Sequence, residues 1–236
     1  MIEKSKTNSD LGVQVNAFLS NVGMATPMRT DLPAGYLTGE FDDEKIDRIE
    51  GHMAEVMKIL GLDLSDDSLV ETPRRIAKMY VQELFAGLKT DTFPKATTVE
   101  NKMQYGDLII EKCTVKSVCE HHFVYFGTAH NTQELGCWIA YIPKQKVLGL
   151  SKLNRITNYF ARRPQIQERL TGQIAHALRY ILDTEDVAVV MRAQHFCVLT
   201  RGVEDADSNT TTSSLHGRFM EEPELRAEMM TLVNRK

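Results

Sequence analysis

The sequence lacks several features that would assign it to a special class of protein. It contains no run of about 18 apolar residues, so a membrane-spanning helix is excluded and no membrane partner is expected. Only 4 of its 236 residues are cysteine, and their irregular spacing excludes a disulfide scaffold. We therefore expect reduced thiols in a cytoplasmic protein, where metal binding and catalysis are their characteristic uses besides core packing.

An excess of basic residues is also missing. The chain has 28 Lys and Arg against 32 Asp and Glu, which gives a net charge of −4. Neither a broad polybasic surface nor a patch that mixes aromatic and basic residues is present, so nucleic acid is not an expected partner. The 42% hydrophobic and 25% charged content is typical of a folded globular protein and argues against disorder.

Composition and periodicity divide the chain into three regions. Residues 1–40 are rich in Ser, Thr, Asn and Gly, and prolines interrupt them, so we expect a flexible or loosely docked N-terminal extension. Residues 41–100 show two helical patterns with apolar residues three and four positions apart, the first ending at Gly61. The second opens at Thr72-Pro73, with the threonine as cap and the proline at the first helical position.

The third region, residues 101–236, combines strands with helices. Its β-rich stretches include a turn at His130–Gly136. Two amphipathic helices follow, one starting near Ser151 and one predicted to start at Pro164. A long strand is then predicted from Val187 to Val198. This order of elements predicts an α+β domain.

A cysteine and a histidine with metal-ligand spacing occur at Cys119 and His122. Two ligands three residues apart can reach one metal ion from a single turn, as in many zinc sites. The best third ligand is Cys197, because strand alternation would turn it to the same face as His195. A Cys₂His set leaves the fourth tetrahedral position open for water or substrate, which is the arrangement of a catalytic site.

A packing role in the core is the competing interpretation for any cysteine. We expect it to hold for Cys113 and Cys137, which occupy strand positions. The other two cysteines differ, because each comes with an additional histidine that tetrahedral coordination does not need. These are His121 and His195, whose imidazoles are suited to proton transfer near neutral pH.

Two further groups have the chemistry to bind a nucleotide. Ser151, Lys152 and Arg155 stand at a helix start, where a cap, backbone N–H groups and two cations can hold a polyphosphate. An ordinary solvated helix start is the alternative. Glu168 occurs in a first helical turn, where carboxylates commonly complement the dipole. Its two oxygens also match the N1–H and exocyclic amine of guanine.

Basic residues in two other places add to this set. Arg74, Arg75 and Lys78 lie on the first turns of the second helix, where positive charge opposes the helix dipole. Local conflicts of this kind often mark functional sites, although the ordinary explanation for these basic residues is a solvent-exposed helix face. Arg201 follows the segment that carries His195 and Cys197.

Taken together and in this order, these segments resemble the GTP cyclohydrolase I family, from about residue 42 to the C-terminus. The segments that carry the resemblance are Thr72–Tyr80, Cys119–His122, Gly149–Arg155, Arg163–Thr171, and His195–Cys197 with Arg201-Gly202. The resemblance implies a tunnelling fold (T-fold), an antiparallel sheet backed by two helices, with N-terminal helical elements. It further implies a toroidal homodecamer whose active sites lie between subunits. Residues 1–40 lie outside the resemblance.

The family's reaction converts GTP and water to 7,8-dihydroneopterin triphosphate and formate. By resemblance, the cofactor is Zn²⁺, held by Cys119, His122 and Cys197. The implied catalytic residues are His121 on the N7 side of guanine, His195 for opening of the ring and ribose, and Ser151 near the ribose. The implied guanine-binding residues are Glu168 and, through the backbone around it, Gln167. The implied triphosphate-binding residues are Arg75, Lys78, Lys152, Arg155 and Arg201.

Departures from the family pattern are few. His216 stands where the family often has glycine, and Glu204 would repel phosphate if it pointed inward. Two alternatives stay open: another T-fold enzyme of pterin or deazapurine chemistry, and a silent homologue that binds zinc or nucleotide. The intact His121 and His195 argue against silence.

Overall fold

The computed structural model of the chain describes residues 6–128 and 134–235. The first part of the turn predicted at His130–Gly136 therefore lies outside the described residues. Within the described ranges, no helix has the length and hydropathy that crossing a membrane requires.

The first hundred residues are mainly helical. The helices are α1 Ser9–Asn21, α2 Asp42–Ile59 and α3 Thr72–Lys78, and the last continues as a π-helix, Met79–Leu84. Three short 3₁₀ turns are Gly39–Phe41, Ala86–Leu88 and Thr90–Thr92. The two helices predicted in residues 41–100 are confirmed. Gly61 follows α2 with a φ of +85°, which only glycine adopts without strain. Glu71, not Thr72, is the N-cap of α3.

Helix α1 is packed into the main core, which differs from the loosely docked extension predicted for residues 1–40. Val15 and Leu19 are fully buried there, and Leu11 packs against the same core. These three residues lie four apart and form one apolar stripe. The stripe is narrow and lies among polar residues, so the sequence pattern did not reveal it.

The rest of the chain alternates strands and helices. The strands are β1 Thr98–Glu100, β2 Ile109–Cys113, β3 Lys116–Cys119, β4 Tyr125–Gly127, β5 Gly136–Tyr141, β6 Lys146–Leu148, β7 Pro164–Gln165, β8 Val187–His195 and β9 Thr210–Leu215. The helices are α4 Leu150–Ala161, α5 Gln167–Leu182, α6 Phe196–Leu199, α7 Arg218–Glu221 and α8 Pro223–Val233.

Seven of these strands form one sheet in the order β2-β5-β8-β4-β3-β7, with β9 also paired to β8. Every pairing in it is antiparallel except that of β3 with β7. On one face, alternate residues of β8 such as Val189 join the core formed with α4 and α5. On the other face, Val190 packs with Phe219 and with Val233 of α8. The α+β prediction is confirmed, and β8 is apolar from Val187 to Met191 because both its faces are covered there.

Two predicted boundaries around the candidate site are wrong. Pro164 begins the short strand β7, and α5 starts only at Gln167. The long strand ends at His195, and the predicted continuation to Val198 is a helical turn, α6. The alternation argument for Cys197 therefore fails, because Cys197 is not in a strand. The mostly polar segment Thr210–Leu215 forms β9, and its pairing with β8 satisfies its backbone N–H and C=O groups.

A pair of histidines forms a polar network behind the sheet. Arg179 Nη1 lies 3.0 Å from His176 Nδ1 and 3.4 Å from His216 Nδ1, and Arg179 also pairs with Glu185. Since both Nδ1 atoms accept from Arg179, His216 carries its proton on Nε2 and donates it to Ser214 Oγ, 2.9 Å away. Burial, followed by the Arg179 charge, lowers the pKa of both histidines, that of His216 to about 4.

This network predicts a loss of stability in mild acid. His216 has an ordinary pKa of 6.5 in the unfolded chain and about 4 in the folded one. As pH falls through this interval, the unfolded state binds a proton that the folded state does not, so the free energy of unfolding decreases. Urea denaturation at pH 7 and pH 5 should show a smaller difference for His216→Asn than for the unsubstituted protein. An unchanged difference would contradict the assignment.

Candidate active site

Three ligand atoms converge at one end of the sheet. Cys119 Sγ, a ring nitrogen of His122 and Cys197 Sγ all lie within 4.8 Å of one another. In a tetrahedral zinc site with bonds of about 2.0–2.3 Å, ligand atoms lie about 3.3–3.8 Å apart. These three residues are called the metal group below. Their ligand atoms need to move inward only slightly to reach that spacing. Two thiols and one imidazole therefore fit a divalent metal with one open position.

A tight turn between β3 and β4 brings Cys119 and His122 together. The Cys119 N–H donates to Val124 O (2.8 Å), and the Phe123 N–H donates to Cys119 O (2.9 Å). Phe123 closes the turn with a φ of +52°, an uncommon conformation for a bulky residue. Its ring packs edge-on against Phe85, with ring centroids 5.2 Å apart, and this contact holds the turn against the N-terminal helical region.

Cys197 reaches the same place from α6. Antiparallel pairing of Phe126 with His195 sets the end of β8 beside β4, and α6 starts at the next residue. Partial burial and then the neighbouring Cys119 sulfur raise the pKa of the Cys197 thiol, while the Arg201 charge acts against them. A coordinated divalent cation reverses this balance, because a coordinating thiol is deprotonated.

The remaining two cysteines are core residues, as predicted. Cys113 and Cys137 are directly paired in the register of β2 and β5, and both are buried. Burial raises the pKa of Cys113 to about 12 and that of Cys137 well above its ordinary value. Both thiols are therefore neutral at physiological pH and are poor metal ligands.

His195 is held rigidly beside the metal group. Its ring stacks on Phe126, with centroids 4.6 Å apart and planes within 2°. Its Nε2 lies 2.8 Å from Gln167 Oε1, so Nε2 carries the proton. Burial lowers the pKa of His195, and the charge of Glu168 partly offsets this effect. The ring is thus neutral near pH 7, with Nδ1 available to accept a proton.

Gln167 is fully occupied by protein contacts. Its buried amide donates to Met191 O (3.1 Å), Thr210 O (3.0 Å) and Thr212 Oγ1 (3.1 Å). Its side chain therefore orients His195 and has no free donor for a ligand. The adjacent Glu168 lies in the first turn of α5, exposed and near enough to His195 to affect its pKa.

His121 faces a cleft next to the metal group. Its side chain is 65% exposed, with Nδ1 3.9 Å from Cys119 Sγ and Nε2 4.0 Å from Glu120 Oε1. The cleft has a volume of about 500 Å³. It is lined by His121 and Glu120 together with Thr26, Pro27, Met28, Leu88 and Pro164.

The predicted phosphate-binding residues lie on other elements. The start of α4 carries Ser151, Lys152 and Arg155. Its N-cap is Gly149, so the prediction that Ser151 caps this helix is wrong. Arg75 and Lys78 are exposed on α3. In the described part of a single chain, no hydrogen bond or ion pair joins these five residues to the metal group.

Arg74 is already neutralised by α2. Its Nη1 lies 2.5 Å from Glu50 Oε2 and 3.1 Å from Asp47 Oδ1. Arg75 has no ion-pair partner among the described residues. This difference supports the choice of Arg75 over Arg74 as a phosphate ligand.

Sequence reasoning missed three residues that shape this site. Phe126 supports His195, Phe123 closes the metal-ligand turn, and Arg169 forms an ion pair with Glu120. Phe126 lies in β4, and no local signal in the sequence indicated the contact of its ring with His195. The Arg169–Glu120 pair joins residues separated by 49 positions, so the sequence alone did not reveal it.

Known proteins are similar to this chain over most of its length. A protein named GTP cyclohydrolase 1 from Aeromonas salmonicida is 52% identical over 218 residues, covering 92% of this chain and 93% of that protein. One of the same name from Aeromonas hydrophila is 52% identical over 223 residues, covering 94% and 95%. A third, from a Shewanella species, is 48% identical over 224 residues, covering 94% and 98%.

These alignments also correct the extent of the resemblance. An alignment that covers 94% of the chain includes much of residues 1–40, which the sequence analysis placed outside it. Residues 49–234 match the sequence pattern of the family described as GTP cyclohydrolase I. The chain therefore belongs to the GTP cyclohydrolase I family.

Proposed function

We propose that this chain converts GTP and water to 7,8-dihydroneopterin triphosphate and formate, the first step in pterin and folate-type biosynthesis. The convergence of Cys119, His122 and Cys197 beside two further imidazoles carries the proposal. A silent homologue would have no need of His121 and His195. A T-fold enzyme of different pterin or deazapurine chemistry would not need this metal group. Identities near 50% along almost the whole chain favour the same conclusion.

We infer that the metal is Zn²⁺, held by Cys119, His122 and Cys197. Thiolate and imidazole ligands in a three-residue set are typical of catalytic zinc. Zinc in such a site supplies a water nucleophile at neutral pH by lowering the pKa of that water to about 7. The rest of the chemistry belongs to the protein side chains.

The two imidazoles have different surroundings and different roles. His121, exposed to the cleft, donates a proton on the N7 side of the guanine. His195 is neutral and fixed through Gln167, so its Nδ1 can accept a proton as the ring and ribose open. Formate then leaves, the ribose carbons rearrange with Ser151 close to the ribose, and the pterin ring closes.

Substrate binding uses charge matching. Glu168 offers two oxygens to the N1–H and exocyclic amine of guanine. Arg201 lies near Cys197 and binds the triphosphate end together with Arg75, Lys78, Lys152 and Arg155. Five cations can balance the roughly four negative charges of a triphosphate.

The distribution of these cations favours an oligomer. Within the described residues, Arg75, Lys78, Lys152 and Arg155 have no ion-pair partner and form no hydrogen bond with the metal group. We infer that they complete the sites of neighbouring copies in a homodecamer, whose active sites then lie between subunits. A cytoplasmic location remains a prediction from the reduced cysteines.

Replacement of a metal ligand should remove the metal. Cys197→Ser leaves two ligands, so we expect purified protein with much less bound zinc and little turnover. Elemental analysis of never-chelated protein measures this directly. Cys113→Ala, which removes a buried cysteine outside the group, should keep full zinc content. Full zinc in Cys197→Ser would show that the ligand set is wrong.

Loss of His121 should separate catalysis from metal binding. His121→Ala should keep zinc and lower turnover of GTP by a factor on the order of 10²–10⁴, as expected for a general acid. Turnover is followed by formate release and by pterin fluorescence after oxidation. His52→Ala, at an exposed position on α2, is the matched control and should match the unsubstituted enzyme. Loss of zinc in His121→Ala would instead make His121 a ligand.

Glu168 should discriminate guanine from adenine. Glu168→Ala removes two charge-assisted hydrogen bonds, so the affinity for GTP should fall about tenfold or more. The affinity for ATP should change by less than about twofold, because adenine offers no N1–H and carries its amine elsewhere. Titration calorimetry with both nucleotides tests this, with Glu228→Ala on α8 as control. Equal losses for both nucleotides would contradict guanine recognition.

A further inference from the structure

Part of the N-terminal segment, residues 6–40, lines the cleft beside His121. Thr26, Pro27 and Met28 line this cleft opposite His121 and Glu120. These three residues belong to the region that composition alone assigned to a loosely docked extension. Their position next to a candidate proton donor calls for a physical explanation.

Thr26 is fixed by two buried donors. Its Oγ1 accepts from Arg163 Nη1 at 2.9 Å and from Gln173 Nε2 at 3.1 Å. Gln173 Nε2 also donates to Met24 O at 2.8 Å. Both partners are almost completely buried, so water cannot replace Thr26 as their acceptor.

A chain of hydrogen bonds continues from Gln173 to the metal-ligand turn. Gln173 Oε1 accepts from Gln165 Nε2 (2.8 Å), and Gln165 Oε1 accepts from Arg169 Nε (3.0 Å). Arg169 Nη2 then donates to Glu120 Oε2. The other carboxylate oxygen, Glu120 Oε1, lies 4.0 Å from His121 Nε2. Hydrogen bonds therefore connect Thr26 to Glu120, and the second oxygen of Glu120 lies at ion-pair distance from His121.

The direction of every bond in this path is determined. Gln165 uses its second amide hydrogen on Phe160 O at 2.9 Å, and Gln173 uses both of its hydrogens on the N-terminal segment. Neither amide can flip without leaving buried donors facing donors. A fully satisfied network of this kind has one arrangement, so displacement at one end is transmitted along it.

Buried Arg163 also ties the N-terminal segment to the rest of the protein. Its guanidinium is 2% exposed and has no carboxylate among its described partners. It donates instead to Gly87 O (2.8 Å), Thr26 Oγ1 and Asn16 Oδ1 (3.2 Å), and it stacks on Tyr159. A buried unpaired charge is costly, so each of these acceptors matters. Two of the three acceptors belong to the N-terminal segment.

We propose that Thr26 is a positioning residue for catalysis, which acts through Gln173, Gln165 and Arg169 to fix Glu120 against His121. This inference rests on the proposed function, because it assigns His121 its role as proton donor. The N-terminal segment then contributes to catalysis by positioning His121, in addition to lining the cleft. Glu120, next to a metal ligand, connects this segment to the proton donor.

Substitution of Thr26 tests the proposal by steady-state turnover of GTP. Thr26→Val keeps the shape but leaves Arg163 and Gln173 each short of an acceptor. We expect kcat to fall about fivefold, with KM within twofold and zinc content unchanged, because His121 loses its orientation and no binding group is touched. Thr26→Ser keeps the hydroxyl and should restore most of the rate. Thr231→Val, the same change on exposed α8, should leave kcat unaltered.

A double substitution separates this path from a general structural effect. If Thr26 acts through Glu120, Thr26→Val should cost little more when Glu120→Gln is already present. Arg169→Lys keeps the charge beside Glu120 but loses the Nε bond to Gln165, so it should reproduce the loss of kcat and serves if Thr26→Val folds poorly. An unchanged kcat in Thr26→Val or Arg169→Lys, or additive losses in the double variant, would overturn the proposal alone. Absence of GTP turnover in the unsubstituted enzyme would overturn the proposed function with it.

Discussion

The pairing of β4 with β8 is the constraint on which the site depends. It joins the turn that carries Cys119 and His122 to the strand end that carries His195, and Cys197 follows within one helical turn. Residues far apart in the chain thereby become neighbours through backbone hydrogen bonds alone. The stacking of His195 on Phe126 is a cross-strand contact in the same pairing, so the register that assembles the metal group also orients the His195 imidazole.

Buried polar side chains also fix the orientation of the groups around the site. Gln165, Gln167 and Gln173 are all nearly inaccessible to solvent, and each amide is fully hydrogen-bonded. Apolar residues would fill the same space, but they would not specify a single orientation. Two of these amides lie on α5, whose first turn also presents Glu168. Helix α5 therefore combines a packing face with side chains that orient His195 and the network around Thr26.

The sequence predicted that Cys119, His122 and Cys197 lie together, as they do in the structure, but for Cys197 it did so through an incorrect intermediate step. The spacing of Cys119 and His122 is a local property of a turn, and the turn is present. The strand assigned to Cys197 is absent, because β8 ends at His195 and the chain coils into α6. The two strands β3 and β7 pair in parallel, and this long-range contact converts the predicted helix start at Pro164 into a strand.

Other parts of the structure had no local signal at all. Arg163 and Thr26 are separated by 137 residues, and no sequence pattern links the two. The stripe of Leu11, Val15 and Leu19 is too short to stand out from polar neighbours, and only its burial shows that α1 belongs to the core. Sequence patterns report which residues have suitable chemistry. Which of them meet is decided by strand register and helix packing, which depend on the whole chain.

The connection between β8 and β9 has an uneven tolerance to changes in length. Both of its ends are fixed, because the two strands pair with each other from Ala188–Leu215 to Ala193–Thr210. Between Val203 and Asn209, added residues would only enlarge a surface loop, whose closure entropy rises slowly with length. One residue added between His195 and Cys197 would rotate the sulfur away from its partners. Natural and engineered variation in this hairpin should therefore accumulate after Gly202.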